Sequence, residues 1–178
     1  MDRLIDELGE AAAILSSSQA RLHRVLPNES HVVELLVAAR RLLLHSLGQE
    51  VSQRPLFPDD RAVQRYFRAH MAHASVEQAR VLLLDSKNGL LRGDVVAWGT
   101  VDRVNISPRE LVRRALDVGA AGMILAHNHP SGDATPSSSD IAITRDIFRA
   151  AELFDIRLLD HLIIARYGCY SFRAHGQL

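Results

Sequence analysis

The sequence predicts an α/β fold, a sandwich of helices around a mixed sheet, preceded by a small helical region at the N-terminus. Two observations carry the prediction. From Val76 onward, apolar runs of strand length alternate with stretches of helical period, the pattern of a layered α/β domain. Before that point apolar residues recur only at helical spacing, and proline and serine cut the chain into pieces. A length of 178 residues and a hydrophobic content of 47% suit one moderate domain with a small appendage. The division falls at residues 1–58, helical region and linker, and 59–178, main domain.

Residues 3–24 place Leu4, Ile5, Leu8, Ala11, Ala12 and Leu15 on one stripe and predict a helix that Leu26-Pro27-Asn28 breaks. Ser30 is suited to cap a second helix reaching Leu47, with Gly48 as its terminator. Its density of Val32, Val33, Leu35, Leu36, Leu42, Leu43 and Leu47 implies burial on more than one side. The cover is either the first helix together with the main domain, or a second copy of the chain in a homo-oligomer. Residues 53–58, with Pro55 and Pro58, read as the linker, and a third helix is expected from Asp59 to His73.

In the main domain, residues 80–85 (RVLLLD) predict a buried strand, Ser86-Lys87-Asn88-Gly89 a hairpin turn, and residues 90–98 the returning strand. A brief pairing is expected at 104–106. Ser107-Pro108-Arg109-Glu110 joins a cap, a first-turn proline and a glutamate three residues on. A helix should follow to Val118 and stop at Gly119. Residues 121–127 form the central strand, a helix spans Ser137 to Phe154, and residues 157–165 and 169–173 close the fold as strands around the turn Arg166-Tyr167-Gly168.

Composition excludes several function classes. Lys+Arg and Asp+Glu both number 21, and residues 1–75 hold nine of each, so neither part is a basic module. Strong nonspecific nucleic-acid binding needs phosphate neutralisation and is not supported, though a local arginine patch stays open. A single cysteine, Cys169, excludes an internal disulfide and fits a reducing cytoplasm; it reads as a small strand residue, not a nucleophile. Asp2, Asp6, Glu7 and Glu10 make an acidic start unlike a secretory signal. No apolar run approaches the ~18 residues of a membrane span, so a cytoplasmic protein without membrane contact is expected.

The chemistry concentrates in Met123 to Asp140, MILAHNHPSGDATPSSSD. An apolar run delivers His127 and His129 to its far end, and in an extended segment residues i and i+2 point to one side. Ser137 and Asp140, three apart at a helix start, share a face as well. Two neutral imidazole nitrogens and one carboxylate oxygen suit a catalytic zinc ion with a fourth position left for water. Taken alone, Ser137-x-x-Asp140 is also an ordinary helix-start device, and Thr135-Pro136 would move the cap to Thr135. His127-Asn128-His129 alone suggests a small nuclease. A zinc deaminase would need His-x-Glu with Pro-Cys-x-x-Cys, which one cysteine forbids, and no HExxH is present.

His-x-His, seven residues, then Ser-x-x-Asp resembles the JAMM motif of the MPN-domain metalloproteases. The wording AHNHPSGDATPSSSD followed by DHLII is similar, more narrowly, to the bacterial RadC family. That resemblance implies an MPN (JAB, cytidine-deaminase-like) α-β sandwich and a zinc-dependent hydrolase cleaving a peptide or isopeptide-like amide. His127, His129 and Asp140 would hold the metal, and zinc on three protein ligands lowers the pKa of bound water to about 7. JAMM proteases take their acid/base from an earlier strand, and Glu77, just before RVLLLD, occupies the matching place; position alone does not separate it from Glu110. Ser137 would donate to the developing oxyanion. Asn128 and Ser131 read as turn-holding residues. Asp160-His161 is a RadC-like pair expected close to the site, and His161, more in keeping with a satisfied structural residue, is left outside the ligand set.

RadC relatives often carry helix-hairpin-helix elements before this domain, whereas here the region is short and the phosphate-approaching glycines are not visible. The leading expectation is therefore a peptidase acting on a peptide or protein. An MPN-fold binding module in genome maintenance and a DNA-processing hydrolase stand as the alternatives.

Overall fold

The computed structural model describes residues 2–57, 60–99 and 105–178. Its N-terminal part comprises α1 (Asp2–Leu8), α2 (Ala11–Ser16), α3 (Gln19–Val25), α4 (Ser30–Ser52) and α5 (Arg61–Met71). The helix expected over residues 3–24 is therefore three short ones. Gly9 sits at φ +81°, a left-handed conformation through which an α-helix does not pass. Ser18 then turns extended, and its side chain accepts from the Arg21 amide at 3.2 Å to start α3. Leu4, Ile14, Leu22, Leu26 and Val33 knit these pieces into a satellite core.

The second helix does not stop at Gly48 but runs through it to Ser52. A mid-helix glycine costs about 1 kcal/mol. Burying Val51, wholly inaccessible in the main core, outweighs that cost. Burial on more than one side, expected for α4, is not met at its middle: Leu35 and Leu42 are 68% and 71% exposed. In the stretch read as a linker, Leu56 is fully buried and its amide donates to the Asn88 carbonyl at 2.8 Å. α5 begins behind Asp60, whose side chain accepts from the Ala62 amide.

The main domain follows as β1 (Gln78–Leu84), β2 (Leu90–Trp98), α6 (Pro108–Asp117), β3 (Gly122–Asn128), α7 (Ser138–Glu152), β4 (Arg157–Ile164) and β5 (Cys169–Ser171). The five strands lie in the order β2-β1-β3-β4-β5. β3 and β4, joined across α7, are parallel, and every other neighbouring pair is antiparallel. This is the mixed sheet that the sequence predicts. Ile106 is buried but lies in no strand, and Val104 falls outside the described residues, so no strand covers 105–106. β5 ends at Ser171, two residues earlier than expected.

Side-chain alternation splits the core cleanly. Leu82, Leu84, Ile124, Ala126, Leu162 and Ile164 pack with Val63, Phe67 and Met71 of α5. Ala79, Val81, Leu83, Met123 and Leu125 pack with Leu111, Ala115, Ile147 and Ala151 of α6 and α7. β3 is buried along its whole length, as befits a central strand covered on both faces. Its carboxyl end and the N-terminus of α7 therefore meet at one edge of the sandwich, where ligand sites of such sheets collect. Among the described residues, no helix is long and apolar enough to cross a membrane.

Candidate metal centre

β3 carries His127 at its penultimate position, 1% exposed, on the same face as Met123 and Leu125. His129 lies just past the strand and is still tied to the sheet by its amide, which donates to the Ile164 carbonyl at 2.9 Å. The chain then folds back. Gly132 at φ +91° makes the turn, and Asp133 Oδ1 accepts from both the amide and the hydroxyl of Thr135. The Asp133 carbonyl is thereby brought 2.9 Å from His129 Nδ1, which donates to it and leaves Nε2 facing the site.

The cap of α7 is Ser137, not Thr135. Ser137 Oγ accepts from the Asp140 amide at 3.2 Å, while the Ser137 amide and hydroxyl donate to Asp140 Oδ2 at 2.7 and 2.6 Å. The capping box is complete. The helix-start and ligand readings of Ser137-x-x-Asp140 are thus not rivals. The cap aims the carboxylate.

His127 Nε2 lies 3.1 Å from His129 Nε2 and 3.2 Å from Asp140 Oδ1, and His129 Nε2 lies 3.4 Å from Asp140 Oδ2. A tetrahedral ion with bonds of about 2.0–2.1 Å spaces neighbouring ligand atoms about 3.3–3.4 Å apart. The donor set and the spacing fit a first-row divalent ion. Among the described residues, these three side chains are the group able to hold a metal. The electrostatics agree. The Asp140 carboxylate, bonded to the His129 ring, raises the pKa of that imidazole against its partial burial, with help from the Asp133 carbonyl and the charge of Glu77. Burial works against the charge of Asp140, but the adjacent His127 and His129 rings and the Ser137 hydroxyl outweigh it and hold the carboxyl well below the usual range.

Glu77 immediately precedes β1, which pairs antiparallel with β3 in the register Ala79↔His127. Carrying that register two residues outward sets Glu77 across from His129. It lines the same cleft as His129, Ser137 and Asp140, a space of about 1130 Å³ whose rim also bears Arg21, His73, Asn105 and Arg166. Glu110, the rival acid, lies in the first turn of α6, where its bond with Arg113 and its bond with Arg114 lower its pKa to about 2.

Two features have roles that the sequence did not specify. Asn128 is not a turn residue. It is 1% exposed, its Oδ1 accepts from the Gln78 amide at 2.9 Å and its Nδ2 donates to the Val76 carbonyl at 3.2 Å, so it clamps the backbone on both sides of Glu77. Ser131, as expected, stays in the loop. His161 on β4 is fully buried behind the centre, with Nε2 2.8 Å from His127 Nδ1 and Nδ1 2.6 Å from Thr144 Oγ1. Thr144 stands one helical turn after Asp140, a spacing that is visible in the sequence, whereas the parallel pairing that brings His161 in is not. Asp160 turns away to accept from the Ser171 hydroxyl at 2.6 Å. Burial raises the pKa of the Cys169 thiol to about 11, which suits a strand residue and not a nucleophile.

The sequence profile of a family described as "RadC-like JAB domain" matches residues 57–177. Among curated relatives, a UPF0758 protein of Rhodobacter capsulatus is 43% identical over 176 residues, spanning 99% of this chain and 82% of its own length. The UPF0758 protein YkfG of Escherichia coli K12 is 40% identical over 152 residues, spanning 85% of this chain and 92% of its own length. Neither name states an activity.

Proposed function

The chain belongs to the RadC family of JAB-domain proteins, and from that premise we propose that it is a zinc-dependent hydrolase of the JAMM type, a metallopeptidase cleaving a peptide or isopeptide-like amide. The observation that carries this reading is the convergence of His127, His129 and Asp140 on one point of a cleft that Glu77 and Ser137 also line. Held by those three residues, zinc supplies a Lewis acid and makes water nucleophilic at neutral pH. The Glu77 carboxylate takes a proton from the attacking water and hands it to the leaving amine. The Ser137 hydroxyl, whose proton rests on Asp140 Oδ2 at 2.6 Å, turns that proton to the oxygen on which charge develops, an effect of a few kcal/mol. The clamp of Asn128 holds Glu77 in place for both transfers.

The cleft also favours one kind of substrate. Arg21 and Arg166 line it. An acidic group near the scissile bond suits such walls. A non-catalytic binding module in the cytoplasm is the weaker reading, because it leaves the union of metal ligands, acid/base and helix-start hydroxyl in one cleft without a use.

The test is metal content by mass spectrometry and cleavage of a peptide library. Wild type should carry one zinc that His127→Ala loses. Glu77→Gln should keep the zinc and lose cleavage. Equal zinc in wild type and His127→Ala removes the hydrolase reading, and unchanged cleavage by Glu77→Gln removes Glu77 as the acid/base.

A further inference from the structure

We propose that Thr144 and His161 are positioning residues that decide which ring nitrogen of His127 is offered to the metal. The inference rests on His127 being a ligand but not on the reaction catalysed. The chain of contacts runs from the Asp140 carbonyl to Thr144 Oγ1 at 2.5 Å, on to His161 Nδ1 at 2.6 Å, and from His161 Nε2 to His127 Nδ1 at 2.8 Å. Thr144 is 2% exposed and His161 wholly buried, so no water replaces any partner.

Proton counting sets the direction. The Asp140 carbonyl can only accept, so the single hydroxyl proton of Thr144 goes to it. The reverse would press two oxygen lone pairs together at 2.5 Å. With its proton spent, Thr144 Oγ1 can only accept from His161, which must therefore carry its proton on Nδ1. A neutral imidazole with Nδ1–H has a bare Nε2, so the next bond is donated by His127 from its own Nδ1. His127 Nε2 is left as a lone pair, and it is this nitrogen that lies 3.2 Å from Asp140 Oδ1.

The relay begins at the backbone of one ligand and ends at the ring of another, closing a loop through α7, β4 and β3. Phe172, stacked on His161 at 5.0 Å with only 9° between the rings, fixes the plane in which this proton path lies. Ligand histidines elsewhere commonly donate to a carboxylate or carbonyl. Here a second, buried imidazole does that work, and a threonine hydroxyl sets it.

The experiment uses the full chain labelled with 15N, free of metal, at mildly alkaline pH. Long-range 1H–15N spectra of the histidine rings should show His127 and His161 both protonated at Nδ1. Thr144→Val, nearly the same shape without the hydroxyl, should shift both rings toward the Nε2–H form and weaken zinc binding about 10- to 100-fold in competition with a chelator. Thr144→Ser should restore the wild-type spectrum and affinity.

Wild-type His127 protonated at Nε2, or Thr144→Val with unchanged tautomers and affinity, overturns the proposal. If Thr144→Val does not fold, His161→Gln and His161→Phe replace it. Gln, whose Oε1 accepts where Nε2 does, should keep the affinity that Phe loses, and equal losses overturn the proposal. Should wild type bind no zinc at all, the hydrolase reading fails while the ring spectra still decide the relay.

Discussion

Replacing Asn128 with alanine should disable the acid/base half of the centre and spare the metal half. The side chain is 1% exposed and makes two hydrogen bonds, at 2.9 Å from the Gln78 amide and at 3.2 Å to the Val76 carbonyl. Alanine leaves a buried backbone donor and a buried acceptor unpaired, each costing about 1–3 kcal/mol. The sum is about 2–4 kcal/mol, since the cleft lets water reach part of the segment. For a chain of this size that lowers the melting temperature by roughly 5–15 °C. His127 keeps its place in β3, held by the ladders to β1 and β4, so zinc stoichiometry should stay at the wild-type value. The released Val76–Gln78 segment no longer fixes Glu77, and a displacement of about 1 Å at a reacting group costs on the order of 100-fold in rate. Urea unfolding, zinc by mass spectrometry and peptide cleavage per folded molecule measure the three quantities. Asn128→Asp keeps the acceptor for Gln78 but sets a carboxylate against the Val76 carbonyl, so it should fall at least as far in activity. A stability loss below about 1 kcal/mol with full cleavage would refute the clamp. Zinc lost together with cleavage would refute the separation of the two halves.

Ser137 offers a second separation. Alanine removes cap and hydroxyl together and should cost about 1 kcal/mol of stability, whereas glycine, a tolerated cap, should cost only a few tenths. If the hydroxyl serves the oxyanion, both variants lose cleavage about 100-fold or more once corrected for folded fraction; activity that tracks stability instead assigns Ser137 to capping alone. His70 governs an acid limb. Burial is the main cause that pushes its pKa down from 6.5 to about 4, and Arg80 and Arg40 add to it against the bond from its ring to the Tyr66 carbonyl. The unfolded chain takes the proton first, so stability is intact above pH 6.5 and falls as the pH drops toward 4, by about 1–2 kcal/mol after allowance for exposure. His70→Asn should flatten that limb in urea titrations, and an unchanged slope would place the loss elsewhere. In the cleft, Arg166→Glu should lower kcat/KM for peptides with an acidic residue at the scissile bond and leave neutral ones little changed; uniform loss would deny the arginine a part in selection.

Much of the centre was legible because its parts are local. Two histidines at strand spacing and an aspartate at a helix start announce their geometry through periodicities that tertiary structure rarely overrides. The strands were legible for the same reason: RVLLLD and MILAH are too apolar for an exposed segment. What stayed hidden depends on pairings between distant segments. That Asn128 clamps Val76 and Gln78 follows from β1 lying beside β3, and that His161 backs His127 follows from β4 lying parallel on the other side. The N-terminal helices failed for a different reason. A stripe at helical spacing does not reveal that Gly9 takes a positive φ or that Ser18 starts a new helix, and Gly48, which reads as a stop, is carried through because Val51 beyond it is buried.

The register between β1 and β3 binds fold to chemistry. Glu77 comes just before β1, and the three candidate ligands from β3, the loop after it and α7, so nothing local sets their distance. With Ala79 opposite His127, the Glu77 side chain falls on the face of the sheet that carries Val81, Leu83, Met123 and Leu125. That is the face α7 covers, and hence the face where Asp140 arrives. A slip of one residue would turn Glu77 to the α5 side, and a slip of two would carry it about 7 Å along the strand. Either slip would also drive Leu82 and Leu84, or their counterparts on β3, out of the packing they fill. The core residues that forbid the slip are thus what hold a carboxylate within reach of the centre, and their burial is a condition of the proposed chemistry as much as of stability.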